Sequence, residues 1–171
     1  MLRRDSNPSM DGWFLEMWFF ASIRNGGVKL FDKNDKQYSW LESEVKLVDP
    51  VAIPPLPERG VWFKPQKWNQ GGYDAVFIDR SAHLVRFVQV TRGDSHSFKI
   101  EYFYALLFAL NQFQIKKLEI VFVVEKVKLR DFEIPTNKVS GTGLLKPFGW
   151  DKFREKDKVE ILAVHGLSSE T

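Results

Sequence analysis

The sequence predicts an α/β domain in which a mixed sheet is flanked by two mostly buried helices. Three observations carry this. An apolar block at 13–23 sits between helix start and stop signals. Two strand-like runs, 73–79 and 84–91, are joined by a short polar turn. A second apolar helix then leads into the continuous β-branched and aromatic run 118–124. At 171 residues the chain has single-domain length, and 1–171 are read as one domain.

Pro8, Ser9 and Asp11 open the first helix, and Asn25-Gly26-Gly27 closes it. Trp13, Phe14, Leu15, Met17, Trp18, Phe19, Phe20 and Ile23 cover almost its whole circumference, which predicts a helix enclosed on most sides. Glu16 is its one interior charge; it either finds a gap to solvent or faces a polar site inside the protein, because an unpaired buried charge is costly. Residues 28–49 read as a hairpin or irregular strands around the turn Asp32-Lys33-Asn34-Asp35. Pro50, Pro54, Pro55 and Pro57 force an extended connection, and the basic stretch 61–72 that follows reads as a loop crossing the surface. The runs 73–79 and 84–91 form a hairpin. Gly93-Asp94-Ser95 then reads as the cap of a helix from about His96 to Asn111. The run 118–124, apolar on both faces, is expected to lie parallel to a neighbour reached through that helix. After Pro135, Gly141, Gly143 and Pro147, a short helix near 150–154 precedes a last strand at 159–164.

Composition removes several function classes. With no cysteine there are no disulfides, thiol nucleophiles or Cys-based zinc sites. With three histidines (His83, His96, His165) and no HExxH, a histidine-rich metal centre is disfavoured, while a carboxylate-bound Mg²⁺ stays open. Lys+Arg 25 against Asp+Glu 22 leaves a net charge of +3, which permits nucleic-acid contact without implying it. No stretch reaches the length of a membrane span, and the Trp/Phe-rich start lacks the cleavage pattern of a secretory signal, so no membrane partner is expected. An aromatic content of 15 % implies a core of large flat side chains, with base stacking as a second use.

Chemistry concentrates between 64 and 99. Strand alternation projects Gln89 and Thr91 to one face and sets Asp74 on the face of Val76 and Ile78, and the hairpin can bring them side by side. Asp74 would hold Mg²⁺ or Mn²⁺, with an amide oxygen from Gln89 and the backbone carbonyl of Val90 completing an oxygen shell suited to phosphodiester hydrolysis. Thr91 brings no cation, so Lys99, Arg92 or His96 would have to orient the attacking water. Lys64, Lys67, Trp68, Arg80 and Arg92 surround this segment as candidate nucleic-acid contacts. The same residues have plainer uses: Asp74 as a turn acceptor, His96 as a neighbour of a helix cap, and the basic residues as a solvated surface.

Asp74 within Gly-Tyr-Asp-Ala-Val-Phe-Ile-Asp, the tripeptide Gln89-Val90-Thr91, the following His96, and then a helix and an apolar strand resemble the PD-(D/E)xK, or restriction-endonuclease-like, domains. More narrowly they look like the C-terminal domains of Crinkler effectors and retrotransposon hot spot (RHS) proteins, an impression that Lys64-Pro65 with Trp68-Asn69 and the closing segment 153–164 extend. The resemblance implies an αβββαβ core, a Mg²⁺-dependent nuclease ancestry, DNA more than RNA as partner, and, in the Crinkler group, a secreted effector acting in the host nucleus. Position by position it implies Glu16 as the helix-one glutamate, Asp74 as the metal-binding aspartate, and Gln89 and Thr91 in the places of the Glu-x-Lys pair. Threonine where the superfamily carries lysine points equally to a degenerate module that binds DNA or a host protein without cutting. Oligomeric state is left open by the sequence.

Overall fold

The computed structural model describes residues 8–66, 72–111 and 113–165 of the chain, with side chains from Phe14 onward. Helix α1 spans Pro8–Arg24 and leads into a hairpin of β1 (Val28–Phe31) and β2 (Gln37–Trp40). Strand β3 (Val45–Val48) follows, and then the proline-rich connection delivers β4 (Val61–Pro65), β5 (Ala75–Asp79) and β6 (Leu84–Val90). The two-residue β7 (Phe98–Lys99) runs straight into α2 (Ile100–Ala109), which is followed by β8 (Lys117–Glu125), β9 (Val139–Ser140), the single turn α3 (Glu155–Lys158) and β10 (Glu160–Val164).

Eight of these strands form one mixed sheet in the order β2-β1-β10-β8-β6-β5-β4-β3. β4, β5 and β6 make an antiparallel meander, whereas β8 lies parallel to β6 and β10 parallel to β8. Parallel pairing of β6 with β8 needs a crossover, and α2 supplies it. Helices cover both faces, as the continuous buried apolar run Ile120–Val124 of β8 requires. On one face Leu15, Phe19, Phe20 and Ile23 of α1 pack on Ala75, Val88, Val90, Val121, Val123 and Leu162. On the other, Ile100, Phe103, Leu106 and Leu107 of α2 pack on Val76, Ile78, Val85, Phe87, Ile120 and Phe122.

Four expectations change. Residues 61–65 form a buried strand between β3 and β5: Val61, Trp62 and Phe63 are all inside, and Pro65 is tolerated because it ends the strand. Helix α2 begins at Ile100 and not near His96, because Ser95 bridges to Glu133 and Phe98–Lys99 pair with Val139–Ser140, holding 95–99 extended. Lys99 is therefore a strand residue at the helix threshold and not one turn inside the helix. Finally, α1 is enclosed on one side only; Phe14 and Met17 face outward. The short helix expected near 150–154 lies slightly later, at Glu155–Lys158.

Candidate metal and nucleic-acid site

The polar groups gather where β6 ends, β5 begins and α1 crosses the sheet. Asp74 sits one residue before β5. Its N–H donates to the carbonyl of Val88 at 2.8 Å, and its carboxylate Oδ2 accepts the N–H of Val90 at 2.7 Å, so the side chain carries the β5–β6 ladder past its last backbone pair. The same Oδ2 accepts Nε2–H of Gln89 at 2.8 Å. Running along the ladder instead of standing on the face of Val76 and Ile78, this carboxyl comes within interaction range of Glu16 from the α1 side. Glu16, Phe19, Phe20 and Ile23 share one stripe of α1 at helical spacing, and the stripe packs on the sheet, which places the glutamate inside at 9 % exposure.

Enclosure and a neighbouring carboxyl both act on Asp74. Part of Asp74 still reaches solvent, yet its carboxyl group is enclosed by protein. Burial pushes that carboxyl well above its ordinary range; the hydrogen bond and charge of Glu16 push the same way, and the Val90 N–H opposes them only in part. Asp74 therefore holds a proton more tightly than an isolated carboxyl does.

Glu16, Asp74, Gln89 and Val90 are thus brought together, as their assignment to one cation requires. Their chemistry, two carboxylates with an amide and a backbone carbonyl, is an all-oxygen set of the kind hard divalent cations take. Among the described residues no cluster of three or more His, Cys, Asp or Glu side chains is arranged to hold a metal, so any such ion would rest on two acids and neutral oxygens.

The remaining candidates disperse. Thr91 is buried, and its Oγ1 accepts the N–H of Gly93 at 3.0 Å, which spends it on the turn leaving β6. His96 lies half-buried with its ring edge-on to Phe122 and Nδ1 against the carbonyl of Ser97 at 2.6 Å. Burial first, and then the charge of Lys99, lowers its pKa, favouring a neutral imidazole. Lys99 is exposed on β7, and no hydrogen bond or ion pair joins it to Asp74, Gln89 or Glu16 among the described residues. Arg92 is engaged by a residue the sequence reading missed: Glu125, at the end of β8, takes Nε and Nη2 of Arg92 at 3.2 Å each. The parallel register that carries β6 and β8 to adjacent ends creates that pair, and no local signal announces it. Arg80 donates Nη1 to the carbonyl of Leu56 at the far end of β5, about 20 Å from Asp74 at ~3.3 Å per residue. Lys64 is closer to the acids. Its Nζ lies 5.6 Å from the Phe20 ring, one helical turn beyond Glu16, and β4 carries it toward the position opposite Ala75. Lys67 and Trp68 fall outside the described residues.

No helix among the described residues is long and apolar enough to cross a membrane. Comparison with protein-family models, curated proteins and solved structures returns no match.

Proposed function

We propose that this chain is a restriction-endonuclease-like domain that binds nucleic acid, DNA in preference to RNA, and hydrolyses phosphodiester bonds with Mg²⁺ or Mn²⁺. The observation that carries the proposal is the meeting of Glu16, from a helix far away in sequence, with Asp74 and Gln89 at the open end of the hairpin. The reading draws further support from α1, the antiparallel β4-β5-β6, α2 and a β8 parallel to β6 following one another in the order of an αβββαβ core, with β1–β3 and β7 as additional strands between them. A divalent ion held there would polarise a phosphate and acidify its bound water. The chain's own residues do the rest: Glu16 and Asp74 supply negative charge, Gln89 and Val90 supply neutral oxygens, and Lys64 meets the substrate's phosphates beside them. In the Crinkler-like setting the domain would act as an effector in a host nucleus, which nuclear accumulation of a tagged chain in host cells tests.

A second reading, a module that binds DNA or a host protein without cleavage, is favoured by one specific feature. Thr91 is tied to Gly93 and carries no charge, and among the described residues no hydrogen bond or ion pair joins Lys99 to Asp74, Gln89 or Glu16. Incubating plasmid and single-stranded DNA with Mg²⁺ or Mn²⁺ separates the two. Cleavage by wild type that Asp74→Asn removes supports the nuclease; salt-dependent binding indifferent to Asp74→Asn, with no turnover, supports the binder.

A further inference from the structure

The amide of Gln89 bridges two of the oxygens that would hold a cation. Nε2 lies 2.8 Å from Asp74 Oδ2 and 3.4 Å from the carbonyl oxygen of Val90, the two oxygens that any divalent ion at this site would need. Both are acceptors, so the edge of the carboxamide that faces them is the NH₂ edge, and Oε1 is turned away. Asp74 Oδ2 is then doubly satisfied, by Gln89 and by the Val90 N–H at 2.7 Å. The whole arrangement is enclosed, with Gln89 only 7 % exposed, so water does not compete freely for either oxygen.

We propose that Gln89 is a latch on the carboxyl pair. With the NH₂ edge inward it bridges Asp74 and Val90 and keeps the site closed without a cation. Reversing the carboxamide about its last side-chain torsion puts Oε1 where Nε2 was, converting the bridging donor into a ligand. This inference rests on the metal-dependent reading and adds a step to it: cation entry breaks the Gln89–Asp74 hydrogen bond and turns one amide. An ionised glutamate at this position cannot donate that bond and presents oxygen whichever way it turns. Loss of a hydrogen bond to a charged acceptor corresponds to roughly a tenfold or greater change in affinity.

The test measures Mn²⁺ binding by calorimetry to the full wild-type chain and to Gln89→Glu, together with the ¹⁵N-resolved side-chain amide of Gln89 in the wild type during Mg²⁺ addition. The latch predicts that Gln89→Glu binds Mn²⁺ about tenfold or more tightly than wild type. It also predicts that the Gln89 NH₂ protons, slow to exchange without added ion, exchange rapidly once Mg²⁺ is bound. The amide measurement needs no variant, so it stands even where the added buried acid unfolds Gln89→Glu. Equal Mn²⁺ affinity in the two proteins, or Mg²⁺ binding with the Gln89 amide unmoved, overturns the latch and leaves the metal reading intact. Absence of binding to both proteins overturns the two together.

Discussion

Replacing Asp74 by alanine or by asparagine separates what its side chain holds together from what its charge does. Alanine leaves the Val90 N–H and the Gln89 Nε2 without the acceptor they share, while Gln89 retains only the longer contact to Val90 O. Stranding a buried donor costs about 1–3 kcal/mol, and because Gln89 keeps its contact to Val90 O its share is the smaller, so the two together amount to about 2–4 kcal/mol. Asparagine keeps an oxygen for both donors and turns its own NH₂ toward Glu16. Both variants lose the same charge, so the Asn-to-Ala difference isolates the hydrogen bonds. At ~2–4 °C per kcal/mol for a chain of this length, Asp74→Ala should melt about 5–15 °C below Asp74→Asn by scanning calorimetry. The pH dependence follows from the direction of the Asp74 shift. Its carboxyl is raised above 3.8 in the fold, so wild type carries no penalty below that value, loses stability as pH rises through it, and bears the full penalty above the folded pKa. Asp74→Asn has no such group. Its melting temperature relative to wild type should therefore climb as pH rises above about 4 and level off above the raised folded value. Equal melting of Ala and Asn variants, or an Asn advantage that shrinks with rising pH, would refute the buried pair.

Three further outcomes are expected. Glu155 accepts the hydroxyl of Thr142 at 2.7 Å and the N–H of Gly143 at 2.7 Å; burial opposes its ionisation, yet these bonds hold its carboxyl below the ordinary 4.5. That stabilisation is present above pH 4.5 and is lost as pH falls through the lower folded value, so Glu155→Gln should cost about 1 kcal/mol at neutral pH and less in acid, read from urea midpoints. Trp62→Ala removes a ring packed 5.3 Å from each of Phe19, Trp40 and Phe77 and should destabilise by about 3–5 kcal/mol in the same assay. In anisotropy titrations with duplex DNA, Lys64→Ala should reduce the salt slope by about 0.9 while Arg80→Ala, at the other end of the sheet, leaves it unchanged; the reverse ranking would move the interface away from Glu16.

The elements legible in the sequence are those whose signal is local. The β5–β6 hairpin, the buried β8 and its crossover helix follow from alternation, a polar turn and a continuous apolar run. β4 was hidden because prolines on either side masked three consecutive buried residues, and its partners β3 and β5 lie elsewhere in the chain. The start of α2 was misplaced for a related reason: Gly93-Asp94-Ser95 has the composition of a cap, but Glu133 and Val139–Ser140 capture the next residues as strand. Within the site, Glu16 stood out as the one interior charge of an apolar helix, and Asp74 and Gln89 as polar residues at strand ends. Their meeting depends on which way α1 crosses the sheet, which periodicity does not encode. The Arg92–Glu125 pair likewise depends on register between β6 and β8. Lys99 was assigned to the site through a helix that it does not belong to.

The account stands most directly on the claim that Glu16, Asp74 and Gln89 act as one centre. Nicking of supercoiled plasmid in Mn²⁺ by wild type and by Glu16→Gln, a same-shape change on a helix far from the hairpin in sequence, tests it in a single gel. Wild-type nicking that Glu16→Gln reduces to the level of a protein-free control is the expected result. Equal nicking by the two proteins, or none by wild type, would contradict it.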